Sequence, residues 1–378
     1  MIAYDLQGAQ SVHHAERGIA RYVVELALAL ERIRPGFVDR FVVNPDLPRP
    51  PALEPFQATG RLRRCDIDEL TDTTIFHVAS PMENGISSAR LIPGSVRNAG
   101  ARLVATVYDL IPLIFPEHYL RGLQNRAEYT RGLATLWAVD ELLAISQATA
   151  EDVHRLLGIR RSSITVIGAG AGDQFRRPTA AEAVHLHSEL ARAIPDIAAG
   201  FLLVPTGIDH RKNVERTVEA YARLDESLRQ RHQLVIACRV DDATRARIED
   251  QAAQLGVLEG LVLTGFVSDQ TLVRLYQAAE LVVIPSLYEG FGLPALEARA
   301  CGAPVVCSGT SSLPEVIVDS RAHFDPENVV DIARCVGSVL TKDHLRAELA
   351  TAPLPPFTWD LAAERTIAVY ERLLRRIT

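Results

Sequence analysis

Short runs of β-branched and other apolar residues alternate with longer helical patterns along the 378-residue chain. Six runs precede the segment around Phe175 and six follow it: IAYD, RFVVN, TIFHV, RLVATV, ELLAI and SITVI, then FLLVP, QLVIAC, LVLT, LVVIP, PVVC and AHF. Parallel strands need crossover connections of about a dozen residues, usually helices, and this alternation supplies them. The sequence therefore predicts two doubly wound α/β domains in tandem.

The boundary between the two domains is predicted at residue 176. Residues 1–176 form the first predicted domain and residues 177–356 the second, each close to the usual size of a domain. Residues 357–378 are predicted to form a final amphipathic helix with Thr358 as its N-cap. Its apolar stripe at helical spacing consists of Trp359, Ala363, Ile367, Tyr370 and Leu374.

The composition argues against several classes of protein. A formal charge of −7 disfavours a protein that wraps a nucleic-acid backbone, because such binding needs clustered lysine and arginine. No apolar run reaches the ~18 residues of a membrane span, and the N-terminus lacks the features of a signal peptide. Five cysteines without a C-x-x-C pair indicate neither a disulfide framework nor a zinc site. We therefore expect a cytoplasmic protein that binds no nucleic acid.

Three local patterns in the sequence each allow more than one interpretation. Arg61, Arg63 and Arg64 form a basic cluster that is a candidate for peripheral contact with anionic lipid at the inner membrane, and a solvated turn is the alternative. SITVIGAGAGDQF follows a strand like a dinucleotide fingerprint, but Asp173 stands where the third glycine is required. Eleven histidines show no metal-ligand spacing. The sequence therefore predicts no dinucleotide and no metal.

Two cations follow the strand FLLVP. Arg211 and Lys212 stand directly before Asn213, a good N-cap for the amphipathic helix that comes next. In open α/β sheets, ligands lie beyond the carboxyl ends of the strands, where helix N-termini converge. The helix dipole and its exposed N–H groups favour an anion there, and the cations add to this attraction. This turn predicts a phosphate site, with a solvated basic turn as the alternative.

The segment YEGFGLPALEARACGAPVV contains a glycine-rich loop, a helix and a strand. Glu289 lies on the loop and Glu297 about one turn into the helix, so both carboxylates are predicted to point toward one crevice. Carboxylates accept hydrogen bonds from the hydroxyls of a sugar or a ribose. N–H groups at the helix start are further candidates for a ligand: those of Phe291, Gly292 and Leu293. Ser312 and Glu315 have capping-box spacing and are predicted to cap a helix.

Two candidate positions lie in the first domain. Gly18 opens the first long helix, where a glycine lets the backbone approach a ligand or simply permits a turn. Tyr108 and Asp109 end the fourth strand, and a turn-forming aspartate is the alternative to a ligand contact.

Glu289, seven intervening residues and Glu297 resemble the E-x7-E signature of the family 4 retaining glycosyltransferases. The resemblance extends through RGIARY, VYDLIPLIFPE, LLAISQATAEDV and HRKN to the terminal helix. AYDLQGAQS and TSSLPEV are similar to segments of bacterial enzymes that build O-antigen and other surface polysaccharides. The resemblance implies the GT-B fold: two Rossmann-like domains facing across a cleft, with the terminal helix crossing back to pack on the first.

The resemblance also implies roles for the candidate residues. Arg211 and Lys212 would bind the diphosphate of a nucleotide-sugar donor, Glu289 the transferred sugar and Glu297 the ribose. The donor would also meet Gly18, the amides of residues 291–293, and the turn at Thr206 and Gly207, where many members have an arginine. Val240 and Phe266 follow strands of the second domain and would face the base, while Tyr108 and Asp109 would lie on the acceptor side.

The reaction that the resemblance implies needs no cofactor and no metal. A hexosyl group would pass from GDP-mannose or a UDP-sugar to a hydroxyl of a saccharide or lipid-linked saccharide, with retention of configuration. Arg211, Lys212 and a helix N-terminus would stabilise the leaving diphosphate by electrostatics set in place beforehand. Glu289 is expected to position the sugar and not to act as a nucleophile. The alternatives are a GT-B-like phosphorylase or hydrolase, and a catalytically inactive scaffold subunit.

Overall fold

A computed structural model of the chain describes residues 1–10, 18–64, 70–82 and 91–376. The chain forms two compact units, Met1–Gly170 with Pro356–Thr378, and Ala171–Pro355. The first unit thus ends six residues before the predicted boundary at 176, and the final segment returns to it. Arg17 of the RGIARY motif lies outside the described residues.

Both units are built on wholly parallel sheets, as predicted. In the described residues, the first sheet has seven strands in the order β3-β2-β1-β4-β5-β6-β7, and the second has six in the order β10-β9-β8-β11-β12-β13. The strands are β1 (Ile2–Asp5), β2 (Arg40–Val43), β3 (Leu62–Arg64), β4 (Ile75–Val78), β5 (Arg102–Val107), β6 (Glu141–Ala144), β7 (Ile164–Val166), β8 (Phe201–Pro205), β9 (Gln233–Ala237), β10 (Leu261–Leu263), β11 (Leu281–Ile284), β12 (Val305–Ser308) and β13 (His323–Phe324).

Helices connect these strands. The described helices are α1 (Gly18–Ile33), α2 (Glu54–Ala58), α3 (Gly94–Asn98), α4 (Ile111–Ile114), α5 (Pro116–Tyr119), α6 (Leu123–Ala138), α7 (Gln147–Leu157), α8 (Ala180–Ala193), α9 (Val214–Ala222), α10 (Glu226–Arg229), α11 (Asp242–Gln254), α12 (Asp269–Ala278), α13 (Leu293–Ala300), α14 (Leu313–Val316), α15 (Val329–Thr341), α16 (Asp343–Thr351) and α17 (Trp359–Arg375). Strands such as β4, β8 and β11 are buried along their whole length, because helices cover both faces of a parallel sheet.

The short strand β3 was not predicted. Leu62, Arg63 and Arg64 pair with β2 at the edge of the first sheet, and Arg64 is exposed. A three-residue edge strand with two arginines lacks the apolar run by which buried strands are recognised. Arg61, just before it, forms an ion pair with Glu31 and donates to the carbonyl of Val38. At least this member of the basic cluster therefore has a partner within the protein.

The terminal helix α17 packs against α1 within the first unit. Thr358 caps it as predicted, since its side chain accepts a hydrogen bond from the N–H of Leu361 at 3.1 Å. The ring of Trp359 lies edge-on to Tyr22, with the ring centres 4.9 Å apart. A side chain at Gly170 would clash with the backbone nitrogen of Trp359. This glycine of the GAGAG run therefore permits a close approach of two chain segments.

Candidate functional site

The second sheet reverses its strand order between β8 and β11. These two strands are neighbours. From β8 the chain continues to one edge of the sheet through β9 and β10, and from β11 it continues to the other edge through β12 and β13. In open α/β sheets, such a reversal leaves a crevice at the carboxyl ends of the two strands, where ligands bind. The turn that holds Arg211 and Lys212 follows β8, and the loop that holds Glu289 follows β11. The fold thus brings predicted site residues to the position where a ligand is expected.

Glu289 is held between the two cations. Its Oε1 lies 2.6 Å from Nζ of Lys212, and its Oε2 lies 2.8 Å from Nη1 of Arg211. The Lys212 and Glu289 side chains are only 12% and 9% exposed. The predicted phosphate-binding cations and the predicted sugar-binding carboxylate are therefore in direct contact through ion pairs. Lys212 is one of only two lysines in the chain, with Lys342 the other.

Three serines hold Glu289 in place. Ser286 donates to its Oε1 at 2.7 Å, Ser311 accepts a hydrogen bond from its N–H at 2.9 Å, and Ser312 donates to its carbonyl at 2.9 Å. The predicted capping box at Ser312 and Glu315 is wrong, because the Ser312 side chain makes no cap hydrogen bond. Ser286 and Ser311 were not among the predicted site residues, and Ser312 was assigned only to a cap, because these hydroxyls bind groups on other parts of the loops. The run TSS after β12, the neighbour of β11, was the available signal.

Three further contacts join the turn after β8 to the loop after β11, and a fourth joins this turn to Pro326, which follows β13. The N–H of Leu287 donates to the carbonyl of Arg211 at 2.7 Å, and Arg211 Nη1 lies 3.3 Å from the carbonyl oxygen of Tyr288. Asn213 Nδ2 donates to the carbonyl of Pro285 at 3.0 Å and to that of Pro326 at 2.8 Å. Both loops are therefore fixed to each other by their backbones as well as by the ion pairs.

The structure corrects the predicted role of Asn213. It occupies the N-cap position of α9, but its side chain makes no cap hydrogen bond and its backbone is left-handed, with φ 58°. Asparagine tolerates this conformation better than most residues. The preceding residues His210–Lys212 form a 3₁₀ turn. Asn213 thus ends this turn and ties it to the neighbouring loops.

The electrostatics of the site favour an ionised Glu289. Burial alone raises the pKa of this carboxyl, but the charges of Arg211 and Lys212, with hydrogen bonds from Lys212 and Ser286, outweigh it and lower the pKa to about 2. Burial lowers the pKa of Lys212, and the Glu289 carboxylate opposes this effect. Glu289 is therefore an anion at neutral pH. With both cations charged, Arg211, Lys212 and Glu289 together carry a net charge of +1, and the carboxylate of Asp209 lies beside them, with its Oδ1 3.3 Å from Nε of Arg211.

The helix α13 begins directly after the glycine-rich loop. Gly292 has φ 95°, and a Cβ there would lie 2.8 Å from a methyl group of Leu313, so both backbone and packing require glycine. The N–H of Leu293, the first residue of α13, has no acceptor within the helix, as is usual for a first helical turn. Glu297 is buried on α13, and its Oε2 lies 3.4 Å from the hydroxyl of Tyr276 on α12.

The remaining candidates of the second unit follow the strands β8, β9 and β10. Val240 and Phe266 follow β9 and β10, and Phe266 is 58% exposed. The guanidinium carbon of Arg239, which the sequence did not single out, lies 5.0 Å from the centre of the Phe266 ring. Thr206 and Gly207 follow β8, and the Thr206 hydroxyl is buried without a hydrogen-bond partner in the described part of the chain.

The candidates of the first unit have structural roles of their own. Tyr108 is buried and donates to the carbonyl of Ala79 at 2.7 Å. Asp109 Oδ1 accepts from the N–H of Ile111 at 3.0 Å, which is the turn-forming contact that the sequence left as the alternative. Gly18 is the first residue of α1.

Residues 1–10, 18–64, 70–82 and 91–376 contain neither a cluster of metal-binding side chains nor a helix suited to a membrane. No group of three or more His, Cys, Asp or Glu side chains there is arranged to hold a metal ion. In the same ranges, no helix combines the length and the apolar character that crossing a membrane requires.

Two family models match the chain. The model described as "Glycosyl transferases group 1" matches residues 199–352, and the one described as "Glycosyltransferase Family 4" matches residues 13–172. The first match covers the β8 and β11 loops and the helix α13. Together the matches span most of both structural units.

Individual proteins resemble the chain as well. The serotype-specific mannosyltransferase WbdA of Escherichia coli is 34% identical over 308 residues, which cover 80% of this chain but only 37% of that protein. The O-antigen chain mannosyltransferase B of Escherichia coli is 30% identical over 282 residues, which cover 72% of this chain and 71% of the relative. The solved structure of sucrose-phosphate synthase (tll1590) from Thermosynechococcus elongatus aligns over 99% of both chains, with a TM-score of 0.73 and 18% identity. The chain spans about a third of the length of the WbdA proteins that it matches.

Proposed function

Since the chain belongs to the group 1 and family 4 glycosyltransferases and has the GT-B fold, we propose that it transfers a mannosyl group from a nucleoside diphosphate sugar to a hydroxyl of a growing surface polysaccharide. The names of two relatives, both mannosyltransferases, support this choice of sugar. The word O-antigen in one of these names supports a saccharide acceptor.

The observation that carries the proposal is the cluster of Arg211, Lys212 and Glu289 at the β8 and β11 loops. Breaking the bond between a sugar and a nucleoside diphosphate releases a leaving group with at least two negative charges. Lys212 and Arg211 are already positioned and largely withdrawn from water, so they stabilise this charge without reorganisation. Lysine has three N–H donors and arginine five, so both cations can bind the diphosphate while each keeps its ion pair with Glu289.

Glu289 has the properties of a residue that positions the sugar. A carboxylate offers about four acceptor sites, and Lys212, Ser286 and Arg211 occupy three of them. The remaining site suits one sugar hydroxyl. A pKa of about 2 makes the carboxylate a weak base, and its two ion pairs make it a poor nucleophile. Its negative charge offsets the positive charge that develops on the sugar ring in the transition state.

The proposed reaction retains the configuration at the anomeric carbon and needs no metal. The bond from this carbon to the phosphate oxygen breaks, and the acceptor oxygen forms a new bond on the same face of the sugar. The acceptor proton passes to the departing phosphate oxygen, so no protein base is required. Lys212 and Arg211 supply the stabilisation of phosphate charge for which other enzymes use a metal ion.

The experiment is an assay of acceptor-dependent release of nucleoside diphosphate. The protein is incubated with GDP-mannose, UDP-glucose or UDP-galactose and a mannoside acceptor, and the product is analysed by NMR. We expect release that requires both substrates, continues in excess EDTA, and yields an α-mannoside from the α-linked donor. Release without acceptor would instead indicate a hydrolase, and a β-linked product or complete loss in EDTA would contradict the mechanism.

A further inference from the structure

We propose that the cleft between α9, α11 and the turn after β8 binds an uncharged oligosaccharide, as a second saccharide site apart from the Glu289 cluster. The cleft has a volume of about 520 Å³, within the usual range of small-molecule sites. Its wall includes Ile208 and His210 of the turn, Arg216 and Glu219 of α9, and Arg247 of α11. The inference rests on the proposed function only in the choice of mannose as the sugar.

Side-chain contacts hold together the two helices that form the cleft. Arg247 Nη1 of α11 lies 2.5 Å from Oε1 of Glu215 on α9. Gln251, also on α11, donates to the carbonyl of Glu215 at 3.2 Å and to Oε1 of Glu219 at 3.3 Å. The cleft is therefore formed before a ligand arrives, which reduces the cost of ordering its side chains on binding.

The charges that line the cleft balance one another. Arg216 and Arg247 contribute two positive charges, and Glu215 and Glu219 contribute two negative charges. A charged ligand would place its charge beside a side chain of the same sign, which is unfavourable, whereas an uncharged ligand would meet no such repulsion. With a neutral His210, the cleft therefore favours an uncharged polar ligand over a nucleotide or an acidic polymer.

Sugar hydroxyls match the polar groups of the cleft, because each hydroxyl both donates and accepts hydrogen bonds. A guanidinium has five N–H donors, and Arg216 donates from Nη1 to Oδ1 of Asn213 at 2.9 Å. A carboxylate has about four acceptor sites, and Glu219 accepts from Gln251 at Oε1. Both side chains therefore keep capacity for hydroxyls. The half-buried Ile208 adds apolar surface for the C–H groups of a sugar ring.

The cleft is separate from the residues at which transfer is proposed. In the described part of the chain, its lining includes neither the cations Arg211 and Lys212 nor the carboxylate of Glu289. A saccharide in the cleft therefore does not take the place of the donor at these residues. Such a site retains a long acceptor on the enzyme, so that long acceptors react at lower concentrations than short ones.

The experiment begins with calorimetric titration of the full chain with an α-linked mannotetraose, and with tetragalacturonate as a charged probe of similar size. Arg247→Met and Glu219→Met each remove one charged group of the cleft, and Arg334→Met is a control at an exposed arginine of α15. We expect the unmodified protein and the control to bind mannotetraose, and each cleft variant to bind it about tenfold more weakly, as loss of a hydrogen bond to a charged group does. Tetragalacturonate should bind the unmodified protein more weakly than mannotetraose.

Hydrogen–deuterium exchange in the presence of mannotetraose locates the binding. We expect protection of peptides from residues 208–222 and 242–254, which contain the wall of the cleft. The inference would be overturned by any of four results: no binding of mannotetraose, equal affinity in all variants, tighter binding of tetragalacturonate, or protection confined to other peptides. Thermal unfolding of each variant, compared with Arg334→Met, verifies that the fold is preserved.

Turnover distinguishes failure of this inference from failure of the proposed function. The cleft variants should match the unmodified protein with a single mannoside as acceptor and should have a raised KM for mannotetraose as acceptor. An unchanged KM would contradict the role in retaining long acceptors. Absence of transfer with every donor, while mannotetraose still protects the cleft, would contradict the proposed function and leave the saccharide site intact.

Discussion

A single buried carboxylate organises the candidate site at the scale of residues. Glu289 accepts hydrogen bonds from Lys212, Arg211 and Ser286, and its backbone is held by Ser311 and Ser312. The charged members were predictable because a basic pair before a helix start, and a glutamate on a glycine-rich loop between a strand and a helix, form patterns that can be recognised in the sequence. The serines were not, because a hydroxyl that binds the backbone of another loop leaves no pattern of spacing in the sequence.

The low pKa of Glu289 has a measurable consequence for stability. Because its pKa falls from the usual 4.5 to about 2 on folding, the ionised group stabilises the protein above pH 4.5, and this contribution disappears as the pH falls toward 2. Glu289→Gln should therefore lower the free energy of unfolding by about 3 kcal/mol at pH 7. Thermal unfolding at pH 7, 5, 4 and 3 should show that the difference from the unmodified protein narrows with acidification. Glu327→Gln, at an exposed position, is the control. A difference that stays constant over this range would contradict the account.

At the scale of elements, the site depends on how the turn after β8 is attached to its neighbours. Asn213 closes the His210–Lys212 turn with a left-handed backbone and binds the carbonyls of Pro285 and Pro326. The sequence correctly predicted a basic turn followed by a helix. It gave Asn213 a capping role, because asparagine is common both at N-caps and in left-handed turns, and only tertiary contacts distinguish the two.

Two substitutions at Asn213 separate the contribution of its side-chain hydrogen bonds from that of its left-handed backbone. Asn213→Ala removes the hydrogen bonds to the two proline carbonyls and the one that Asn213 Oδ1 accepts from Arg216, and it leaves alanine in the left-handed region, at a cost of about 3 kcal/mol. Asn213→Gly removes the hydrogen bonds but tolerates the backbone, so its cost should be smaller, about 2 kcal/mol. Urea unfolding followed by circular dichroism measures both. Equal stability of the alanine variant and the unmodified protein would show that the turn does not depend on this residue.

At the scale of the whole molecule, the sequence was sufficient for the architecture. Twelve of the thirteen described strands coincide with predicted apolar runs, and the predicted family is confirmed by both family models. The edge strand β3 and the end of the first unit at Gly170 were not predicted, because each depends on contacts with distant segments. Gly170 itself is explained by the return of the chain at Trp359.

The close approach of the C-terminal segment to Gly170 can be tested by substituting two nearby glycines. Gly170→Ala places a methyl group against the backbone of Trp359, which cannot move without displacing α17. Gly172→Ala is the matched control, because the methyl group there meets only the flexible side chain of Gln174. We expect Gly170→Ala to lower the melting temperature by several degrees and to make the C-terminal helix accessible to limited proteolysis. The same proteolysis pattern in both variants would argue against a packing role for Gly170.

The central claim is that Lys212 stabilises the diphosphate of a sugar donor, and its most direct test is the turnover of Lys212→Met beside Lys342→Met. Lys342, the only other lysine of the chain, is exposed at the end of α15. We predict that Lys212→Met loses at least ~100-fold in acceptor-dependent release of nucleoside diphosphate, as removal of a preorganised charge does, while Lys342→Met retains full turnover. Equal turnover in the two folded variants would contradict the account.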